Sequence, residues 1–116
     1  MALALQYGGD DPEVLSMVAG YRGLQGDLEG AIEAMRSAVA RDPPNAVYRS
    51  NLGSYLLLTG RLEDAREELM NARGLNPGTP GVELDLVEAL LGLNLGAEAR
   101  AVAAAMAPGP KTTLAG

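Results

Sequence analysis

Residues Asn51 to Pro77, NLGSYLLLTGRLEDAREELMNARGLNP, decide the fold. They read as two short helices, joined at Thr59-Gly60-Arg61 and closed by Asn76-Pro77. In the second of these, Arg61 to Gly74, the charges Arg61, Glu63, Asp64, Arg66, Glu67, Glu68 and Arg73 lie mostly opposite Leu62, Ala65, Leu69 and Ala72. That is the spacing of an amphipathic helix. Thirty-four residues upstream the same signal recurs: Ser16/Ser50, Tyr21/Tyr55, Leu24/Leu58, Gly26/Gly60, Leu28/Leu62, Glu29/Glu63, Ala31/Ala65, Glu33/Glu67, Ala38/Ala72 and Pro43/Pro77. Ten identities at one offset mark an internal repeat, which decides the architecture before any single helix does.

Composition limits the chemistry. The 116 residues fit one small domain. At 47% hydrophobic and 21% charged, the chain is not of the disordered class. It has no Phe or Trp, so its core is aliphatic and Ala-rich, and its helices must approach closely. Without Cys there is no disulfide framework or thiol chemistry. Without His it lacks the commonest general acid/base near neutral pH. The net charge of -6, with Lys111 the single lysine, argues against a nucleic-acid surface. No apolar run approaches the ~20 residues of a membrane span, and Met1–Gln6 lacks the basic start of a secretory signal. A cytoplasmic chain, with neither membrane nor nucleic acid as partner, is expected.

The chain is expected to divide as follows. Residues 1–11 are the end of a preceding repeat helix or an N-terminal extension, with Gly8-Gly9 as a helix stop. Residues 12–45 are the first repeat. Asp11-Pro12-Glu13 open its first helix as cap, first-turn Pro and dipole-complementing acid. Leu15, Val18, Tyr21 or Arg22, and Leu24 mark that helix's apolar face. Gln25-Gly26-Asp27 turn the chain. A helix from about Leu28 to Arg41 follows, with Ile32, Met35, Ala38 and Val39 inward and Glu29, Glu33, Arg36 and Arg41 wet. Residues 46–79 are the second repeat, with Asn45 capping Ala46 to Leu58. Residues 80–107 are a degenerate third. With Thr79 as cap and Pro80 in the first turn, a helix follows over Val82 to Leu93, and an Ala-rich helix runs from about Ala97 to Ala107. There Gly60 is replaced by Asn94, Gly53 by Val87 and Ala72 by Met106. Residues 108–116 read as a loose tail.

The second repeat resembles the tetratricopeptide pattern, Trp-x2-Leu-Gly-x2-Tyr, Ala-x3-Phe, then Pro, with a period of about 34 residues. Leu52-Gly53, Ala65, Leu69, Ala72 and Pro77 carry the likeness, with Leu69 in the Phe place. The first repeat keeps Gly26, Ala31 and Pro43 but has Val18-Ala19 for Leu-Gly and Arg22 where the family favours Tyr. All three lack the aromatic at the Trp place, having Leu15, Arg49 and Glu83. The resemblance covers roughly residues 12–107. It implies an all-α fold, antiparallel helical hairpins stacked as a short right-handed solenoid. It also implies a role in binding other proteins through a concave groove lined by the first helices.

No catalytic constellation emerges beside this. Ser16, Ser37, Ser50 and Ser54 have no His to activate them, and no Gly-x-Ser-x-Gly elbow occurs. Asp85 and Glu88 share a face at i, i+3, but an acid/base pair needs an enclosing cleft. No metal-ligand or calcium-loop spacing is present. Gly20, Gly23 and Gly26 do not follow a strand as a phosphate loop does. Neither enzyme activity, cofactor nor metal is expected. The groove implied by the resemblance draws on Ser16, Met17, Gly20 and Leu24; Val47, Ser50, Asn51, Ser54 and Leu58; and Leu84, Asp85 and Glu88. Some family members grip a chaperone's C-terminal carboxylate with Lys, Asn and Arg at these places. Here only Asn51 matches, while Gly20, Gly81 and Asp85 replace the others, so that ligand is rejected. The Tyr55–Leu58 run is assigned to the core.

The expected function is a protein-interaction or assembly scaffold binding a peptide or helix of a partner. Asn51, Ser54, Asp85 and Glu88 are its polar specifiers, and Met17, Val47 and Leu84 its apolar contacts. Two alternatives stand beside it. One is self-association through the terminal helices, where Val102, Ala103 and Met106 would be partly wet. The other is a place within a larger bacterial secretion, pilus-assembly or regulatory repeat protein.

Overall fold

Each helix start is set by a short polar side chain or by a turn. The computed structural model describes residues 11–106; the expectations made for 1–10 and 107–116 lie outside them. Helix α1 (Pro12–Leu24) begins where Asp11 Oδ1 accepts the Glu13 N–H at 2.9 Å. Helix α2 (Leu28–Arg41) begins where Asp27 Oδ1 accepts the Gly30 N–H at 2.9 Å. Helix α3 (Ala46–Leu58) begins where Asn45 Oδ1 accepts the Tyr48 N–H at 3.1 Å. Each such cap satisfies a helix-end N–H that has no partner within the helix. Helices α4 (Leu62–Leu75), α5 (Val82–Gly92) and α6 (Gly96–Ala105) start without a side-chain cap bond. Among the described residues there are six helices and no strand.

One turn recurs three times. After α1, α3 and α5 the chain passes through positive φ at Gly26 (83°), Gly60 (80°) and Asn94 (63°). At each turn the next N–H reaches five residues back: Asp27 to the Arg22 carbonyl, Arg61 to Leu56 and Leu95 to Leu90, at 2.8–2.9 Å. This is the Schellman closure of a helix end, which needs a left-handed residue; Gly adopts it freely and Asn tolerates it. The third hairpin therefore keeps this turn although the Gly is gone.

The hairpins α1–α2, α3–α4 and α5–α6 stack in order, α3 packing on α2 and α5 on α4. The core is aliphatic, as composition requires: Leu15, Ala31, Ile32, Met35, Leu52, Leu56, Leu69, Leu86 and Leu90 are buried. At the crossing of α3 and α4, a β-carbon on Gly53 would lie 2.7 Å from Leu69 Cγ, so the side chain has to be absent for the helices to meet. Between successive hairpins, the first helix α3 also touches the first helix α5. On α3, Tyr55 donates a long bond of 3.5 Å to the Ala19 carbonyl of α1. The first helices thus lie side by side on one surface of the stack.

Several expectations are corrected here. Thr79 is not a cap: it is buried, its hydroxyl donates to the Asn76 carbonyl at 2.8 Å, and Gly81, at φ 81°, precedes the helix instead. Pro80 consequently lies before the helix. Tyr21 is exposed rather than inward; Leu24 and Leu58 are exposed too, which departs from the apolar-face and core readings and agrees with their place in the groove lining. Of the Tyr55–Leu58 run, assigned to the core, Leu56 is buried and Tyr55 and Leu57 are half-buried against the core, while Leu58 is exposed. Val102, expected wet, is buried. The helix starting at Val82 stops at Gly92, one residue early, and α4 runs one residue later than read.

Candidate functional site

The exposed side chains sort by helix. Among the described residues nine large hydrophobics are exposed; seven of them, Met17, Tyr21, Leu24, Val47, Leu58, Leu84 and Leu91, stand on α1, α3 and α5, and the other two, Met70 and Leu75, on α4. Met17 (72%), Leu58 (68%) and Leu84 (65%) are exposed well beyond what packing leaves by accident on a core-facing position. Scattered single residues of this kind need no explanation, but a shared surface does.

Two of the polar residues of that surface are joined by a hydrogen bond. Ser54 on α3 donates to Asp85 Oδ2 on α5 at 2.6 Å, joining the second and third hairpins. Asn51 is half-buried on α3, and Glu88 is exposed one turn beyond Asp85. The structure thus brings Ser54 and Asp85 together. It leaves Met17 on α1 and places Val47 and Leu84 in the first turns of α3 and α5, all three exposed. Ser50, counted among the lining by resemblance, is buried and takes no part. Tyr21 and Leu91 were missed. Helical phase holds the signal for Leu91: it stands next to buried Leu90, about 100° around the helix.

The basic residues of the first helices turn the other way. Arg22 donates to the Gly30 carbonyl at 3.1 Å and pairs with Glu33 at 3.9 Å, both on α2. Arg49 donates to the Pro43 carbonyl at 2.8 Å and pairs with Glu68 of α4 at 3.1 Å. Arg61, in the turn before α4, pairs with Glu29 of α2 at 2.6 Å, and Arg73 with Glu83 at 3.8 Å. The Arg22 and Arg49 pairs lie within a hairpin, whereas the Arg61 and Arg73 pairs tie successive hairpins together.

Two hollows open to solvent lie away from the first-helix surface. One of about 530 Å³ is lined by Arg22, Asp27, Glu29, Gly30, Ile32, Glu33, Arg36 and Arg61, and its opposite charges largely face each other. The other, about 360 Å³, lies against Pro43, Arg49, Met70, Asn71, Gly74 and Leu75. Among the described residues no group of three or more His, Cys, Asp or Glu could hold a metal ion. No helix among them is long and apolar enough to cross a membrane. One titration is shifted by its surroundings: burial first, and then the carboxylates of Glu13, Asp42 and Asp11, push the Tyr48 phenol above its ordinary 10.0.

Residues 24–73 match the family described as Tetratricopeptide repeat. A search of curated proteins found no match. Two solved structures of MamA share the fold. One is 19% identical at a TM-score of 0.78, covering 84% of this chain and 54% of that one. The other is 20% identical at a TM-score of 0.81, covering 87% and 59%. The chain therefore spans somewhat over half the length of the MamA chains it matches. The tetratricopeptide match thus covers the middle of the chain, from the end of α1 into α4, and the likeness to MamA extends the shared helical-solenoid fold over most of the chain.

Proposed function

We propose that this chain is a non-enzymatic protein-interaction scaffold that docks a peptide or helix of a partner on the surface made by α1, α3 and α5. The observation that carries the reading is the partition of exposed hydrophobics: seven of nine stand on the first helices. Met17, Val47 and Leu84 supply apolar contact there, and Asn51, Ser54, Asp85 and Glu88 supply the polar groups. Fully burying a side chain of this size against a partner is worth about 1.5–3 kcal/mol, set against the freedom lost on association. The MamA likeness supports the scaffold architecture and does not name the partner.

A photo-crosslinking residue introduced at Leu58 or Leu84, and in parallel at Arg36 or Glu67 on the second helices, tests the surface. Crosslinking of the same partner from the first-helix positions alone is expected. Partner crosslinks from Arg36 and Glu67 instead would move the docking surface to the second helices.

A second reading, association of copies through the terminal helices, draws on Ala101, Ala103, Ala104 and Ala105, all exposed on α6. Sedimentation velocity over a hundredfold concentration range separates the two: mass that grows with concentration supports self-association.

A further inference from the structure

Building on that docking reading, we infer that the partner segment is amphipathic and ordered: an aliphatic residue sits against the first hairpin and a Lys or Arg against the third, its cation between Asp85 and Glu88. Three observations support this.

The first is register. Steps of 34 residues carry Met17 to Asn51 to Asp85, and Gly20 to Ser54 to Glu88. Equivalent places on successive first helices thus change from apolar, through neutral polar, to acidic. The second is charge. Arg22 and Arg49 are the basic residues of the first helices, and both are turned toward the second helices by the bonds described above. No ion pair reaches Asp85 or Glu88 among the described residues, so this end of an apolar surface presents uncompensated carboxylates. A cationic partner group complements it. The third is pre-organisation. The Ser54 hydroxyl holds Asp85 through Oδ2 alone, at 2.6 Å. The second carboxylate oxygen is left to accept from an incoming ammonium or guanidinium, with little side-chain freedom to lose on binding.

Spacing follows from helix packing. Neighbouring helix axes lie about 8–10 Å apart, so two hairpin steps span roughly 20 Å. An extended segment rising about 3.3 Å per residue covers that in about six residues. The aliphatic anchor and the cation should therefore stand about six residues apart in an extended partner.

The test is selection from a random 12-residue peptide display library on the intact chain, run beside Asp85→Asn/Glu88→Gln. Both substitutions keep size and hydrogen-bonding capacity, and both positions lie outside the buried core. Circular dichroism confirms that the variant is folded. The wild-type pool should enrich aliphatic residues together with Lys or Arg at a preferred separation. The variant pool should keep the aliphatic enrichment and lose the basic one by about tenfold. Equal basic content in both pools overturns the inference and leaves the docking reading standing. Failure of the wild type to enrich any peptide overturns the docking reading and the inference with it. Self-association of the wild type that Glu88→Lys abolishes overturns the inference in favour of a second copy.

Discussion

The second and third hairpins keep one period but fill it differently. In the second, Gly53 on α3 meets Leu69 on α4, and Leu69 is completely buried. Thirty-four residues on, Val87 on α5 is half-buried and packs on the core, while Ala103 on α6 is exposed. The small-and-large pair has become a large-and-small pair. The turn did not exchange in this way: Gly60 and Asn94 both hold positive φ. Core volume can be moved from one helix to its partner, because packing responds to the total filled. A left-handed backbone position cannot be moved without changing where the second helix goes.

The largest expected effect breaks the second hairpin at its anchor. Leu69→Ala should cost about 2–5 kcal/mol in urea unfolding, the range for emptying a buried Leu site. Ala103→Leu, at the equivalent exposed position, should stay within about 0.5 kcal/mol. Similar costs for the two would mean that the hairpins are filled alike. The exchange itself is sharpened by a cycle. Gly53→Val should be destabilising by about 1–3 kcal/mol through overpacking against Leu69. Combined with Leu69→Ala it should cost less than the sum of the single changes. Strict additivity would refute the idea that the pair trades volume.

A smaller effect tests the turn. Gly60→Ala puts a β-carbon at φ 80° and should cost about 1–2 kcal/mol. Gly60→Asn, which copies the third hairpin, should cost less than that. Thermal unfolding of the two variants ranks them, and equal losses would remove Asn94 as an adequate substitute for glycine.

The contrast also explains what the sequence disclosed. The period, the turns and the four helices of residues 12–75 were legible because caps and repeats are local: Asp11, Asp27 and Asn45 act on N–H groups two or three residues away. The inward face of α2 was legible too, since Ile32, Met35 and Ala38 fall in phase. The first helices misled because apolar residues occur on both of their sides. Leu56 and Leu58 are two positions apart, about 200° around the helix, so one being wholly buried sends the other outward. Thr79 misled because a Thr before a helix serves either as its cap or as part of the preceding turn, and here the Asn76 carbonyl takes its hydroxyl. For the proposed docking surface, the resemblance named Met17, Val47 and Leu84, all of which are exposed, although the repeat equivalent of Leu84, Ser50, is buried. The Ser54–Asp85 bond depends on how neighbouring hairpins stack, and the diversion of Arg22 and Arg49 on how the two helices of each hairpin meet, which no local pattern encodes.

The smallest expected effect concerns another equivalent pair, Tyr48 on α3 and Val82 on α5, both buried. Only the second hairpin places a titratable group there. Burial and the nearby carboxylates of Glu13, Asp42 and Asp11 raise the Tyr48 pKa above 10.0 in the folded chain. The folded state then holds that proton more tightly than the unfolded state does. Its contribution is fully present below about pH 10 and is lost as pH rises from there through the folded value. Urea midpoints measured from pH 8 to pH 11.5 should fall more steeply at the alkaline end for wild type than for Tyr48→Phe. The phenylalanine variant keeps the ring and removes the ionisation, so other titrating groups act on both curves and cancel in the difference. Parallel curves would mean that the phenol is solvated in the folded state, and that Tyr48 and Val82 differ in size alone.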